Sequence, residues 1–243
     1  MSGHSKWSKV KHQKEATDVV RGKIFTKIAN TIIIAVKHGG GSTDPDSNFK
    51  LRMALDRARQ VNMPKDNIER AIERAKGEGN DEALEEVVYE AYAVSGVGLI
   101  IEATSDNKQR TVAEIKNILD RNGGVLVEKG GVAHLFRYVG KIVLDRKDLS
   151  FDDLMEKAIN LGAIDINEKN GVEVITNPSD FHRIKKSLSD QGYNIISSEL
   201  IYQPLTSIAV TSSDVLKQLN RLVASLSDHD DVQKVFANFY EEK

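Results

Sequence analysis

Residues 135–144, LFRYVGKIVL, open the part of the chain that decides its fold. Their composition is typical of a β-strand. The patterns that follow are, in order, those of a helix, two strands, a helix and a strand, at Phe151–Leu161, Ala163–Asn167, Val172–Thr176, Ser179–Gln191 and Ile195–Tyr202. This β-α-β-β-α-β order predicts a split βαβ, ferredoxin-like α+β domain over residues 134–203.

The segments on either side of this domain are incomplete by themselves. Residues 78–133 show a β-β-α-β pattern, and residues 204–243 show a β-α-β pattern that is too small to fold alone. The economical interpretation joins them into one discontinuous α+β domain, with residues 134–203 inserted between its two halves.

Residues 1–77 carry helical patterns throughout. After a very basic segment from Lys6 to about Asp18, apolar residues recur every four positions at Ile24, Ile28, Ile32 and Val36, which is the stripe of a core-facing helix. Two shorter helical patterns follow, separated by Asn62-Met63-Pro64. We therefore predict an α+β protein of three domains, an N-terminal helical bundle and two ferredoxin-like domains, with the first boundary near Gly77.

Positive charge is concentrated in the predicted helical domain. Up to Gly77 there are 16 lysines and arginines against 8 acidic residues, whereas residues 78–243 contain 18 against 28. The formal net charge of −2 thus combines +8 in one part with −10 in the other. Such asymmetry indicates a polyanionic partner for the basic part, and nucleic acid is the first candidate.

The most basic segment supplies the principal candidate contacts. Its cations would neutralise phosphates and release counterions, while two of its rings could stack on bases. These residues are Lys6, Trp7, Lys9, Lys11, His12, Lys14, Arg21, Lys23 and Lys27. The alternative is a lysine-rich helix face that is merely solvated.

Three cations further along could assist. Arg52 and Arg59 share a helix face with Asp56, so ordinary intrahelical ion pairs are an equally good explanation. Lys65 precedes a predicted helix start and could meet a phosphate there, although a capping role for Asp66 is the simpler interpretation of that segment.

A possible secondary anion site follows a predicted strand. Lys108 and Arg110 lie at the start of a helical pattern, where free backbone N–H groups could help them hold an anion. Asp106 and Gln109 have the spacing of a capping box, and capping is the preferred interpretation.

Enzyme and metal signatures are weak. Gly39-Gly40-Gly41 lacks the Gly-Lys-Ser/Thr of a phosphate loop, and the six histidines are scattered singly. We predict no catalytic residues, no metal and no cofactor, although a site assembled in three dimensions stays open as an alternative.

Composition also bears on the compartment. The chain has no cysteine, which excludes disulfides and fits a reducing cytosol. Its beginning lacks the apolar stretch of a secretory signal, and the apolar run at 32–36 is too short to span a bilayer. We expect a cytoplasmic protein that does not engage membranes.

Several motifs together resemble the YebC/PmpR family. They are Gly3-His4-Ser5-Lys6-Trp7, Lys23-Ile24-Phe25-Thr26-Lys27, Asn62 to Ile72 (NMPKDNIERAI) and Asp106-Asn107-Lys108. The resemblance covers essentially the whole chain. It implies a helical N-terminal domain with two α+β domains, one discontinuous, and a cytoplasmic bacterial protein that binds DNA as a probable transcriptional regulator. Similar mitochondrial proteins act as translational activators, and bacterial ones have been linked to stalled ribosomes.

We therefore predict a non-enzymatic DNA-binding regulator of transcription. Its first rival is a ribosome-associated translation factor that binds RNA through the same cations. The acidic domains would position the protein or recognise a protein partner. The target genes, the preferred bases and the oligomeric state are left open by the sequence.

Overall fold

The structure, a computed structural model, describes residues 4–77, 84–145, 150–168 and 171–242, with only the backbone given for 4–19. The fold mixes helices with largely antiparallel sheets, so the predicted α+β class is confirmed. The helices are α1 (His4–His38), α2 (Phe49–Gln60), α3 (Lys65–Lys76), α4 (Lys108–Arg121), α5 (Phe151–Asn160), α6 (Phe181–Asp190) and α7 (Ser213–Ser227).

Ten strands accompany these helices in the described residues. They are β1 (Glu85–Tyr92), β2 (Gly98–Ser105), β3 (Val125–Val127), β4 (Phe136–Leu144), β5 (Asp165–Glu168), β6 (Val172–Thr176), β7 (Ile195–Pro204), β8 (Ile208–Val210), β9 (Val232–Ala237) and β10 (Phe239–Glu241).

Helices α1, α2 and α3 pack around a common core. The predicted stripe residues Ile28, Ile32 and Val36 are buried, together with Leu51 of α2 and Ala71 of α3. Ile24, the first member of the stripe, is 38% exposed. The basic segment and the stripe form one 35-residue helix, because nothing between Asp18 and Val20 breaks it.

Asn48 fixes the connection between α1 and α2. It is 5% exposed, its side-chain oxygen accepts a hydrogen bond from Leu51 N at 3.1 Å, and its amide nitrogen donates to Ala35 O at 2.8 Å. This is a helix N-cap that also satisfies a carbonyl near the end of the preceding helix. A side chain at Gly39 would overlap Asn48, so the close approach requires glycine.

The sheet over residues 136–204 has the strand order β5-β6-β4-β7. Strand β4 runs antiparallel to both β6 and β7, pairing Gly140 with Thr176 on one side and with Leu200 on the other. The two helical connections and this order are those of the predicted split βαβ arrangement. Gly140 lies directly under Phe181 of α6, which is fully buried.

A second four-stranded sheet has the order β3-β1-β2-β9, and β8 pairs in parallel with β10. Strand β9 lies beside β2, so this sheet takes strands from both sides of residues 134–203. Contacts group the chain into two compact units, one of Met1–Tyr89, Ile101–Val125 and Gln218–Val235, the other of Glu90–Ile100, Leu126–Lys217 and Phe236–Lys243. The division into three domains with bounds at 77, 133 and 203 stays a prediction.

Candidate nucleic-acid interface

The first half of α1 carries six of the predicted contact residues. Helical backbone runs through this segment from His4 onward. The side chains of Lys6, Trp7, Lys9, Lys11, His12 and Lys14 fall outside the described residues. Their role stays a prediction from the sequence.

Arg21 is the first cation of α1 with a described side chain. It is exposed, and it makes no ion pair with any side chain that the structure describes. It lines a cleft of about 430 Å³ between α1 and the turn from α2 to α3. An exposed guanidinium beside a cleft is a candidate contact for an anionic ligand.

Lys23 and Lys27 are engaged by the end of helix α7. The Lys23 ammonium lies 2.9 Å from Asp228 Oδ1 and also donates to Asp228 O, while Lys27 Nζ donates to Ser227 O at 2.6 Å. Carbonyls at a helix C-terminus lack intrahelical donors and carry the negative end of the dipole. Both lysines therefore hold α1 against α7 before any phosphate arrives.

The two lysines differ in electrostatic environment. The hydrogen bond to Asp228 raises the pKa of Lys23. Burial is the largest influence on Lys27 and lowers its pKa. Lys23 is thus the more firmly protonated of the two, and its partner Asp228 is 74% exposed.

Arg52 secures the turn that precedes α2. Its Nε donates to Pro45 O at 2.7 Å and its Nη2 donates to Asp46 O at 2.9 Å. The side chain is only 30% exposed. Its donors serve the local fold, which weakens the case for Arg52 as a phosphate contact.

Arg59 and Lys65 remain accessible. Arg59 pairs with Asp56 at 3.2 Å and Lys65 with Glu69 at 3.2 Å, both on the helix surface. Their side chains are 71% and 87% exposed, and exposed pairs of this kind contribute little energy. A phosphate can replace either carboxylate at small cost. Helix α3 begins at Lys65 after Pro64, so Asp66 lies in its first turn and is not the predicted cap.

The predicted secondary anion site already contains the protein's own carboxylates. Lys108 lies 2.5 Å from Glu85, and Arg110 pairs with Asp106 at 2.7 Å and Asp231 at 3.2 Å. Hydrogen bonds to Asp231 and then Asp106 raise the pKa of Arg110. These bonds occupy both cations of the possible secondary anion site.

The start of α4 is capped differently from the prediction. Asn107, not Asp106, is the N-cap, and its Oδ1 accepts from Arg110 N at 3.0 Å. Asp106 instead pairs with the Arg110 side chain. Asn and Asp are comparable caps, so the sequence alone did not decide which of the two would take the position.

Glu114, His229 and Asp231 form a group with metal-ligand chemistry, their donor atoms lying within 4.8 Å of one another. His229 Nδ1 accepts a hydrogen bond from Asp231 N at 3.1 Å, which leaves Nε2 to donate to Glu114 at 2.9 Å. Asp231 Oδ2 also accepts hydrogen bonds from the Thr111 hydroxyl and from the Arg110 guanidinium. Each candidate ligand atom has a protein partner, so the group forms a hydrogen-bond network.

Comparison with known proteins decides the family. Residues 5–78 match the family model described as "TACO1/YebC protein N-terminal domain", and residues 84–239 match "TACO1/YebC second and third domain". The chain belongs to the YebC/PmpR family. The resemblance seen in its motifs is therefore confirmed over nearly the whole length.

Relatives in this family carry the names of regulators. A "probable transcriptional regulatory protein" of Dictyoglomus turgidum is 45% identical, covering 98% of this chain and 96% of that protein. One from Caldanaerobacter subterraneus subsp. tengcongensis is 44% identical and covers 98% of each chain. The crystal structure of a conserved hypothetical protein from Aquifex aeolicus has a TM-score of 0.81 at 36% identity, covering 92% and 91%.

These findings support a regulatory role at the level of the family, whose members are named as regulators and not as enzymes. Within the described ranges, none of the helices has the length and apolar character needed to cross a bilayer. DNA binding, RNA binding and the cellular compartment remain predictions.

Sequence reasoning missed two features of this surface. It did not pair Lys23 with Asp228, because the two lie 205 positions apart and no local pattern joins them. It also assigned no ligand-binding role to Phe25 and Asn62, which line the cleft beside Arg21. The positive φ of Asn62, +54°, fits its place just after the C-cap of α2, where Asn is one of the residues that adopt this conformation.

Proposed function

We propose that this protein is a non-enzymatic regulator of gene expression that binds nucleic acid through its helical segment, residues 1–77, in the cytoplasm. DNA is the first candidate partner. The observation that carries the proposal is the charge separation, +8 in this segment against −10 in residues 78–243. The regulator names of the relatives support the same conclusion.

The exposed cations of the helical segment give the proposal its chemistry. Arg21, Arg59 and Lys65 are accessible, and the pairs that the latter two make are weak surface pairs. Lysines 9, 11 and 14 add charge along α1. Neutralising several phosphates at once would give an affinity that falls steeply as salt increases.

A ribosome-associated translation factor is the second candidate function. The observation that favours it is the open cleft beside Arg21, because a paired base inside a duplex cannot enter such a site, whereas RNA loops offer unpaired bases. The same cations would then contact ribosomal RNA.

Co-sedimentation and crosslinking distinguish the two candidates. Protein that travels with ribosomes through a nuclease-free lysate supports the translation factor. Protein that stays off ribosomes and crosslinks to defined promoter sites supports the transcriptional regulator and excludes its rival.

A triple variant tests the interface itself. Replacing Lys9, Lys11 and Lys14 by Ala should weaken binding to either nucleic acid and reduce the salt dependence of the affinity. The matched control, Lys116, Lys186 and Lys217 to Ala, removes the same charge outside residues 1–77 and should leave affinity nearly unchanged. Equal affinities of the two triple variants would contradict the assignment.

A further inference from the structure

The cleft beside Arg21 lies against a turn that the core holds in place. Met63 in that turn is 7% exposed and its N–H donates to Ala58 O at 2.9 Å, while Asn62 N–H donates to Arg59 O at 3.0 Å. These contacts fix the wall opposite α1. The volume of about 430 Å³ lies within the range of small-ligand sites. The described lining residues are Arg21, Gly22, Phe25, Val61, Asn62 and Pro64.

Gly22 keeps the entrance open on the α1 side. A side chain built at this position would meet no heavy atom within 4 Å, so packing does not require glycine there. Its φ is not positive, so the backbone does not require glycine either. Glycine in a helix interior costs stability relative to alanine. We attribute its presence at position 22 to the space that it leaves free in the cleft.

The lining combines three kinds of group that recognise an unpaired nucleotide. Phe25 packs on the helical core and lines the cleft, offering an aromatic ring for stacking. Asn62 is exposed and carries both an amide donor and an acceptor. Arg21 is an exposed cation at the same cleft. Among the lining residues whose side chains the structure describes, none is acidic.

We propose that this cleft binds one unpaired nucleotide of a single-stranded nucleic acid. The base stacks on Phe25, the Asn62 amide hydrogen-bonds its edge, and Arg21 contacts the adjoining phosphate. Single-stranded recognition commonly combines such stacking, edge contacts and cations. A base within a duplex is stacked on both sides and would first have to be flipped out. The inference rests on the proposed function and specifies the nucleic acid that this site selects.

Two substitutions at Gly22 provide a matched test. Gly22→Leu places a side chain in the cleft, and Gly22→Ala leaves most of its space free. Fluorescence anisotropy of the full chain would use a labelled single strand of about 12 nucleotides, the length range of simple single-strand sites, as RNA and as DNA, beside the matching duplex.

Gly22→Leu should weaken single-strand binding about tenfold, the size expected when one base–aromatic contact is removed. Its duplex affinity should stay within about twofold of the parent, because the cations are unchanged. Gly22→Ala should match the parent on every probe. A loss larger for RNA than for DNA identifies RNA as the source of the nucleotide, and equal losses identify an unpaired base of either.

Asn62→Gly gives a second, independent variant. Glycine adopts the positive φ of this position, so the turn is kept while the amide is removed, and single-strand affinity should fall several-fold. Melting temperatures of all variants would confirm that each is folded.

The outcomes separate this inference from the proposed function. If the parent binds nucleic acid and both cleft variants keep its single-strand affinity, or lose duplex affinity equally, the inference is wrong and the proposed function stands. If the parent binds none of the probes, the proposed function fails and the inference fails with it.

Discussion

The ammonium nitrogen of Lys23 lies 2.9 Å from Oδ1 of Asp228, a residue 205 positions further along the chain. This pair joins the most basic helix to a carboxylate just beyond the end of α7. The hydrogen bond from Lys23 is the largest influence on Asp228 and lowers the pKa of its carboxyl group. A predicted phosphate-binding lysine is thus neutralised by an acidic residue of its own chain.

Removing the charge of Asp228 should release Lys23. We expect Asp228→Asn to raise nucleic-acid affinity a few-fold at low salt and to steepen the logarithmic salt dependence by about one unit, because one more phosphate contact becomes available. Stability should change by less than about 1 kcal/mol, since the pair is exposed. Anisotropy titrations at several salt concentrations would measure the first effect, and urea unfolding the second.

Asp230→Asn is the control for this change. It removes the same charge nearby, but Asp230 influences Lys23 only through its field and makes no hydrogen bond to it. The control should raise affinity less than Asp228→Asn does. Identical effects of the two variants would show that net charge, and not release of Lys23, controls binding.

Thr111 tests the network at the start of α4. It is fully buried, and its hydroxyl contacts Ser105 Oγ at 2.6 Å and Asp231 Oδ2 at 2.5 Å. Thr111→Val keeps the shape but removes the hydrogen bonds to these two oxygens, so unfolding free energy should fall by about 1–3 kcal/mol. Thr111→Ser keeps the hydroxyl, so its unfolding free energy, measured by urea titration, should fall less than that of Thr111→Val. An unchanged midpoint for the valine variant would contradict the role assigned to this network.

Glu90 is a buried carboxylate that accepts hydrogen bonds from three backbone N–H groups, and its contribution to stability can be tested. It is 4% exposed, and its oxygens accept from Gly130 N at 2.7 Å, Val132 N at 2.6 Å and Ala133 N at 2.7 Å. Glu90→Gln replaces one acceptor with a donor, so it should cost about 1–3 kcal/mol at neutral pH. Glu86→Gln, at an exposed position of the same strand, should cost far less.

The stability that Glu90 contributes should also depend on pH. Burial raises the pKa of its carboxyl group, but the hydrogen bonds from Gly130, Val132 and Ala133 outweigh burial and bring the pKa below the ordinary 4.5. A lowered folded-state pKa gives stability that is complete above the ordinary value and lost as pH falls through the folded-state value. The difference between parent and Glu90→Gln should therefore shrink on acidification, and a difference that grew would contradict this explanation.

Replacing glycine by alanine should have opposite effects on stability at positions 140 and 22. A Cβ at Gly140 would overlap the ring of Phe181 and Thr176 Oγ1, so Gly140→Ala should destabilise by about 1–3 kcal/mol or more. Gly22→Ala meets no atom within 4 Å and should stabilise by up to about 1 kcal/mol through helix propensity. Thermal unfolding of both variants measures the contrast, and equal shifts would refute it.

Periodicity predicted most elements because it reports which face of a segment is buried. Ile28, Ile32 and Val36 are buried as their spacing indicated, and strand β6 has the predicted bounds, Val172–Thr176. Helix starts were less predictable. Several residues near each start can serve as a cap. The path of the chain selects Asn107 over Asp106 as the N-cap of α4, and it puts Pro64 at the N-cap position of α3.

The sequence by itself determined the α+β class, the charge separation and the family. Each of these depends only on the periodicity, the composition or the motifs of continuous segments. Only the tertiary structure decided how the individual cations are employed. Lys23 and Arg110 meet carboxylates more than a hundred positions away, whereas Arg21 faces an open cleft. The physical reason is that the availability of a charge depends on its neighbours in space, and folding sets these neighbours.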